Sequence, residues 1–558
     1  MARFTSMKGP MPSITINGRP AEFEEGQSIL EVALAQEQEI PHYCWHPGLS
    51  VVANCRICLA EIWAPNPRNE GKLEPMPKLM PTCQTMAQDG QVVYTDSPKA
   101  VANQRSVMEL LLINHPVDCP VCDQAGECYL QDYAYRYGRA SSRFEEEKIK
   151  QPKKDIGEHV LLYGDRCIMC TRCVRFTREV TGTEELMVQG RGATEEIDVF
   201  PGKGLDNELS GNVVDLCPVG ALLDKDFLFA QRVWFMTKTP SIDGITASGD
   251  NISVEHNNGT VFRLKPRPNA SINKWWISDE IRYGWKFIHD ESRHVMPMLR
   301  SRDEWPSPKA AEAWTASMEA ATKGLKSDGR LAMMVSPMLS CEDAWHLGQM
   351  ALSIDPQAVI GVGPVPFNGE DKSFPGGYTV RAEKAPNARG VRRVLSALGI
   401  DVLDAVGMEK ALSSNTSIDR VILTGNYPSE WVTPSFADAV GQERFLLLID
   451  TLPNSLTSRA DVFLPGATWM EKAGTFENVD GILQSFEQAI EPVDYCKSEA
   501  QIAMDLQSAL SGQKPTVFNA AATRQAMASQ AALDRFVSDV TLPKVPQTVE
   551  SDMSIIEL

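Results

Sequence analysis

The chain has 558 residues, 43% hydrophobic and 23% charged, which is enough for several domains with cores of their own. A formal net charge of -19 argues against a nucleic-acid partner and offers no basic patch to a membrane surface. No apolar run reaches the roughly 18 residues of a membrane span, and MARFTSMKGPMPSITI lacks the apolar stretch of a secretory signal, so the cysteines are read as ligands in a reducing compartment.

In chain order, Ile14 and Ile16 alternate with polar residues, Asn17-Gly18 supplies a turn, and 21–23 returns, giving a hairpin over 13–24. Ser28 with Glu31 three residues on forms a capping box that opens a helix. A loop carrying Cys44, Cys55 and Cys58 leads to a strand at 59–63. The stretch 64–81 reads as an irregular, proline-rich excursion before Cys83, and 91–94 as the closing strand. Residues 98–114 show helical spacing (Val101, Val107, Leu110, Leu111) that stops at His115-Pro116. A charged linker, 144–154, follows. Beyond about residue 235 cysteines thin out, and apolar runs such as 421–423 and 445–449 alternate with helix-forming segments, the pattern of an α/β domain. The Ala/Gln/Ser-rich tail past 511 reads as a helix with a disordered end.

Twelve candidate ligands, using 11 of the 13 cysteines, fall into three groups of four. Cys44, Cys55, Cys58 and Cys83 have the spacing C-x10-C-x2-C-x24-C. Three ligands on one loop with a distant fourth is the layout of a plant-type 2Fe–2S site, and the single short knuckle argues against four-cysteine zinc. His115, Cys119, Cys122 and Cys128 form H-x3-C-x2-C-x5-C. Alone, this motif suits zinc as well as iron; its place between two iron–sulfur motifs favours a 4Fe–4S cube with one imidazole ligand. Cys167, Cys170 and Cys173 run C-x2-C-x2-C, and Cys217-Pro218 closes the group after 43 intervening residues, as in bacterial ferredoxins.

Cys341 and Cys496 stand alone and read as buried thiols. His42 and His46 bracket Cys44 as candidate hydrogen-bond partners of its site, and Arg166, Arg172 and Arg175 flank the third loop as surface residues able to offset charge. Gly361-Val-Gly363-Pro-Val-Pro366 breaks the dinucleotide fingerprint, no Walker loop occurs, and no hydrolytic constellation is found. Electrons are therefore expected from another subunit.

The segments HYCWHPGLSVVANCRICLAEI (42–62), INHPVDCPVCDQAGECYLQD (113–132), RCIMCTRCVRF (166–176) and DLCPVGAL (215–222) resemble the large iron–sulfur subunit of respiratory complex I, the NADH–quinone oxidoreductase G family. RVWFMTKTPSIDG (232–244) and DVFLPGATWMEKAGTFENVDGILQ (461–484) are similar to the molybdopterin-oxidoreductase-like half of that family. The resemblance implies a multidomain α+β and α/β fold: a β-grasp 2Fe–2S ferredoxin-like domain (13–96), a His/Cys-ligated 4Fe–4S domain (97–150), a 4Fe–4S ferredoxin-like domain (155–231), a truncated molybdopterin-oxidoreductase-like domain (232–510) and a tail (511–558). It implies 2Fe–2S on the first group, 4Fe–4S on the second and third, and transfer in the order first, third, second.

The implied role is electron transfer in the peripheral arm, from an NADH/FMN subunit toward quinone, coupled in the whole complex to proton translocation. Its implied partners are the flavin subunit, a small 2Fe–2S subunit, quinone-site subunits and a ferredoxin-like 4Fe–4S subunit, on the cytoplasmic side of the inner (plasma) membrane. The membrane is met only through the complex. Some family members hold a fourth cluster at the start of the molybdopterin-like half; residues 232–290 contain no cysteine, so neither that cluster nor molybdopterin is expected. The alternatives are an electron-transfer subunit of an NAD-linked hydrogenase or formate dehydrogenase, and a structural zinc-binding assembly protein.

Overall fold

The computed structural model of the chain describes residues 11–300 and 310–543, the side chains of Ala193 and Ala310 aside. They fall into two compact units, residues 1–235 with 374–377, and 236–373 with 378–558.

In the first unit β1 (Ser13–Ile16) folds back on β2 (Arg19–Glu22) through Asn17 and Gly18, whose φ of 49° and 80° are those of a tight hairpin turn. Ser28 and Glu31 form the reciprocal cap of α1 (Ile29–Ala35), which buries Ile29, Leu30, Val32 and Ala33. β3 runs Leu59–Asn66, three residues beyond the strand expected from sequence. The stretch read as irregular supplies two further strands, β4 (Lys72–Pro75) and β5 (Met80–Pro81), both antiparallel to β3. Their prolines and alternating exposure hide the strand pattern, since an edge strand tolerates proline. β6 (Val92–Tyr94) inserts between β1, to which it is parallel, and β3, giving the order β2-β1-β6-β3-β4. The core beneath this sheet includes Ile14, Ile16, Leu30, Ile62 and Val93 together with the thiols of Cys58 and Cys83.

Ser97 caps α2 (Pro98–Leu112), whose buried face is Ala100, Gln104 and Met108 rather than the expected valines and leucines; Leu110 is 67% exposed. α3 (Tyr129–Tyr137) starts directly after Cys128. β7 (Lys153–Asp155) and β8 (Val160–Tyr163) lead to the third ligand loop and to α4 (Arg172–Arg175). A hairpin of β9 (Leu186–Gln189) and β10 (Glu196–Val199) follows. Then α5 (Asn212–Leu216) delivers Cys217, and β11 (Leu222–Asp224) pairs back onto β8.

The second unit opens with the antiparallel sheet β12 (Thr237–Ile242), β13 (Asn251–Asn257) and β14 (Thr260–Pro266), then α6 (Asp279–Tyr283). Its main sheet comprises β15 (Met298–Leu299), β16 (Arg330–Val335), β17 (Val359–Val362), β18 (Ile418–Thr424), β19 (Phe445–Asp450) and β20 (Val462–Pro465), in the order β15-β20-β19-β18-β16-β17. All neighbours are parallel except β15. Helices cover both faces, so alternate residues enter separate cores: Leu331, Met333, Ile422, Leu447 and Ile449 on one side, Ala332, Met334, Leu423, Leu446 and Leu448 on the other. That two-sided burial is why 421–423 and 445–449 read as continuous apolar runs.

The tail departs from expectation. Met527, Leu533 and Phe536 are buried in the larger core, so 511–543 is packed structure. The disordered end expected beyond it, from 544, lies outside the described residues.

Candidate metal centres

The first group's thiols meet at the edge of the first sheet. Cys58 Sγ lies 3.6 Å from Cys83 Sγ, and Cys44 hydrogen-bonds both Cys55 and Cys83. These contacts pull the Cys44 and Cys58 thiols down and push Cys55 and Cys83 up, so the packed set holds thiolate at some members and protons at others. A metal that takes all four as thiolates releases those protons. The loop reaches this shape with two non-glycine residues in the left-handed region, Ala53 (φ 50°) and Arg56 (φ 58°), a local cost of the kind found at binding sites. Backbone amides of Asn54 and Cys55 face the Cys44 sulfur.

In the second group Cys119 opens a short turn whose end, Cys122, donates its amide to Cys119 O at 3.2 Å. Cys122 and Cys128 are buried, and burial raises both thiols, Cys128 to about 12. His115 is pulled down from its usual value mainly by burial, which keeps its imidazole neutral, and its buried Nδ1 has no hydrogen-bond partner. A neutral ring with an unsatisfied nitrogen beside three cysteines fits a ligand role.

The third group is the most enclosed. Cys167, Cys170, Cys173 and Cys217 line one cavity with Leu162, Ile168, Ile197, Val219 and Leu222, so four residues spread over 51 positions reach a single apolar hollow. Burial raises all four thiols, while amides of Val219, Ala221 and Leu222 act against it at Cys217. The loop again bends through non-glycine residues, Met169 (φ 52°) and Thr171 (φ 60°). Four sulfur donors converging from an apolar wall, with amides aimed at sulfur, fit an iron–sulfur cube. Among the described residues no three His, Cys, Asp or Glu side chains converge closely enough to hold one lone metal ion.

The flanking arginines are not surface residues, as expected from sequence, but 3–5% exposed. Arg166 pairs with Asp118 at 2.6 Å and reaches Gly220 O at 3.4 Å. Arg172 donates to Trp45 O (2.6 Å) and Leu216 O (3.2 Å), and Arg175 to Cys44 O (2.5 Å) and Cys170 O (3.3 Å). A buried charge is retained only where such partners satisfy it. His42 and His46 hold the loop instead of a ligand: His42 Nδ1 lies 2.7 Å from Ile40 O, and His46 Nδ1 accepts from Gly48 N at 3.1 Å.

Two contacts were not foreseeable from spacing. Gly220 sits so close to Cys122 that a Cβ there would lie 2.3 Å from its sulfur, and Tyr43 packs on Tyr133 of α3 at 5.3 Å between rings. Their only sequence signal is a glycine three residues past the closing cysteine and a run of tyrosines after Cys128.

The second unit offers no comparable set. The turn between β12 and β13 buries Asp243, Thr246, Ser248 and Asp250, where Asp243 accepts from Ile245 N (2.8 Å), Thr246 N (3.1 Å) and Ser248 Oγ (3.1 Å). Tyr378 donates to Asp250 and accepts from Ser278 N at 2.9 Å. Cys341 is fully buried with its sulfur 3.5 Å from Asn387 Oδ1, and Cys496 is 5% exposed beside the Arg293–Glu471 pair. Both are the enclosed thiols expected, with pKa values raised by burial, Cys496 to about 12.

Comparison with known families matches a 2Fe-2S iron-sulfur cluster binding domain at 10–98, the NADH-ubiquinone oxidoreductase-G iron-sulfur binding region at 104–143, and the NADH-quinone oxidoreductase subunit 3 ferredoxin-like domain at 157–223. Further matches are the NADH-ubiquinone oxidoreductase NDSU1/NuoG-like 4Fe-4S domain at 236–286 and molybdopterin oxidoreductase at 407–509. This is a protein of 2Fe–2S- and 4Fe–4S-binding domains joined to a molybdopterin-oxidoreductase-type domain. More particularly, it is homologous to the large iron–sulfur subunit of bacterial NADH–quinone oxidoreductase and its mitochondrial 78 kDa counterpart.

The chain is 38% identical over 331 residues to the NADH-ubiquinone oxidoreductase 78 kDa subunit of Candida albicans (59% of this chain, 44% of that protein). It is 36% identical over 340 residues to the corresponding NADH-quinone oxidoreductase protein of Rickettsia felis (60% and 48%) and 41% identical over 290 residues to the NADH dehydrogenase iron-sulfur protein 1 of Solanum tuberosum (52% and 38%). The matched stretch thus spans less than half of each relative. Among solved structures, an NAD+-reducing [NiFe]-hydrogenase chain aligns at 30% identity over 40% of this chain and 91% of its own, with a TM-score of 0.35.

One match disagrees with the residues present. Residues 236–286 match a 4Fe-4S domain yet contain no cysteine, and the buried turn there offers oxygens that already bond one another. A cube is held by sulfur or imidazole, so this stretch does not fit one.

Proposed function

We propose that the chain is the electron-transfer subunit of an NADH–quinone oxidoreductase, relaying single electrons from an NADH-oxidising flavin subunit toward quinone. Cys44, Cys55, Cys58 and Cys83 hold one 2Fe–2S cluster, His115, Cys119, Cys122 and Cys128 one 4Fe–4S cluster, and Cys167, Cys170, Cys173 and Cys217 another. Such clusters supply one-electron carriers at fixed positions. The chain's residues supply the thiolates and imidazole, exclude water by burial, and set buried arginines against the sites. No substrate bond is made or broken here, and no molybdopterin is part of the reading.

The observation that carries the proposal is the packing of the third ligand loop against both others: Arg172 and Arg175 hold carbonyls of the first loop, while Gly220, three residues past Cys217, seats against Cys122. This supports a relay running first, third, second, an order different from that of the chain. Partner subunits provide the NADH and quinone sites and the proton-translocating membrane part. Among the described residues no helix is long and apolar enough to cross a membrane. In this reading the subunit sits peripherally on the cytoplasmic side of the inner (plasma) membrane.

The test is Cys170→Ser in the assembled complex. NADH oxidation by an artificial acceptor at the flavin is expected to persist, while quinone reduction is lost with one 4Fe–4S signal in EPR. Stoichiometric zinc in the anaerobically purified parent, or quinone reduction that survives the substitution, would refute the relay.

A further inference from the structure

We infer that Arg175 is a positioning residue that couples the first and third ligand sets. The inference rests on the reading that both hold iron–sulfur clusters. A single nitrogen, Nη2, donates to the backbone carbonyl of Cys44 at 2.5 Å and to that of Cys170 at 3.3 Å. Each acceptor is the carbonyl of a ligand cysteine, so the route from one sulfur to the other runs along two cysteine residues and one guanidinium nitrogen.

The geometry around Arg175 makes this bridge rigid. Nη1 also donates to Ser50 O, and Ser50 is held from its other side by Glu179, which accepts from Ser50 N at 2.9 Å and Ser50 Oγ at 2.6 Å. Arg172, on the same short helix, adds a parallel tie from Trp45 O to Leu216 O, the residues following Cys44 and preceding Cys217. Arg175 itself is 3% exposed. A planar, permanently charged fork with several donors can span two carbonyls at once; lysine, a flexible point charge, does not reproduce that fixed span. Charge-assisted bonds of this kind, shielded from water, are the strong ones. The step served moves one electron from the reduced first centre to the oxidised third, with no bond made or broken and no proton displaced.

The experiment uses the full chain with its clusters assembled anaerobically, comparing the parent, Arg175→Lys and the exposed neighbour Arg178→Lys. EPR relaxation of the 2Fe–2S signal reports its distance from the reduced third centre, and flash photoreduction reports the transfer rate between them. Arg175→Lys is expected to keep its iron, to weaken the relaxation enhancement, and to slow transfer about tenfold or more, because misplacing reacting partners by about 1 Å is already costly. Arg178→Lys should match the parent. Full iron with unchanged relaxation and rate in Arg175→Lys would overturn the bridge. Should that variant assemble no iron, Arg175→Ala with and without millimolar guanidinium decides: recovery of the rate supports the bridge, and no recovery overturns it. A parent chain lacking the two signals would instead refute the cluster reading beneath it.

Discussion

Gly220 shows how one missing side chain joins two ligand sets. It belongs by sequence to the closing segment of the third group, yet the hydrogen where its side chain would begin faces the sulfur of Cys122 in the second. A methyl group there would stand 2.3 Å from that sulfur and 3.2 Å from Cβ of Gln124, with Arg166 also near at 3.7 Å. A free thiol can rotate away; one committed to a metal has no such freedom. Gly220→Ala is therefore expected to cost the second centre while sparing the first. Separate EPR signals in the reduced protein would check this, with loss of the His-ligated 4Fe–4S signal and an intact 2Fe–2S signal as the outcome. An unaltered spectrum would place Cys122 outside the ligand set. The twelve ligand residues could be read from spacing because sulfur and imidazole at such intervals serve few purposes. Gly220 and the buried arginines could not, since a glycine or arginine near a cysteine looks the same in sequence whether it packs or is solvated.

At the scale of elements, signals carried by a local rule were legible and those set by tertiary contact were not. The Asn17-Gly18 hairpin and the Ser28–Glu31 cap are local devices and appear as expected. The edge strand β4 and the buried face of α2 depend on what lies across from them. The turn between β12 and β13 belongs to this second kind. Burial lifts Asp243 to about 6 and Asp250 to about 7, with the charge of Asp243 adding to the effect at Asp250. Thr246, Ser248, Tyr378 and Arg381 face the pair, and all but Thr246 act on Asp250, each favouring its charged form without offsetting the burial. A carboxyl raised in the folded state stabilises fully below its unfolded value of 3.8, and that contribution is lost as pH rises through 6 to 7. Each unit of displacement is worth about 1.4 kcal/mol, so the second unit should lose a few kcal/mol from this turn between about pH 4 and pH 8. Asp250→Asn keeps an acceptor for Tyr378 and removes the charge. Its thermal midpoint should exceed the parent's at pH 8 and converge on it near pH 5. Parallel pH curves for the two proteins would show that the turn is not the source.

Across the whole molecule, all twelve candidate ligands fall in the first unit, while the second contributes only Cys341 and Cys496, both enclosed and apart. The two units also have different grounds for stability. The second has a six-stranded sheet with an apolar core on each face. In the first, long loops such as 36–58 and 113–128 carry the ligands, and two of the cysteines are themselves members of its core. Loops with left-handed non-glycine residues and inward-facing thiols are held poorly by backbone hydrogen bonds alone, so bound metal contributes folding free energy there. Stripping iron with a chelator under mild oxidation and then restoring reducing conditions should therefore act unequally. Calorimetry of the full chain is expected to show the transition assigned to the first unit falling in temperature and broadening on metal removal, with that of the second unit unchanged. Limited proteolysis at each stage would assign the transitions, cleavage appearing within 36–58 and 113–128 before any in the second unit. An equal fall in both transitions would mean that the metal-bearing loops are not where this protein keeps its metal-dependent stability.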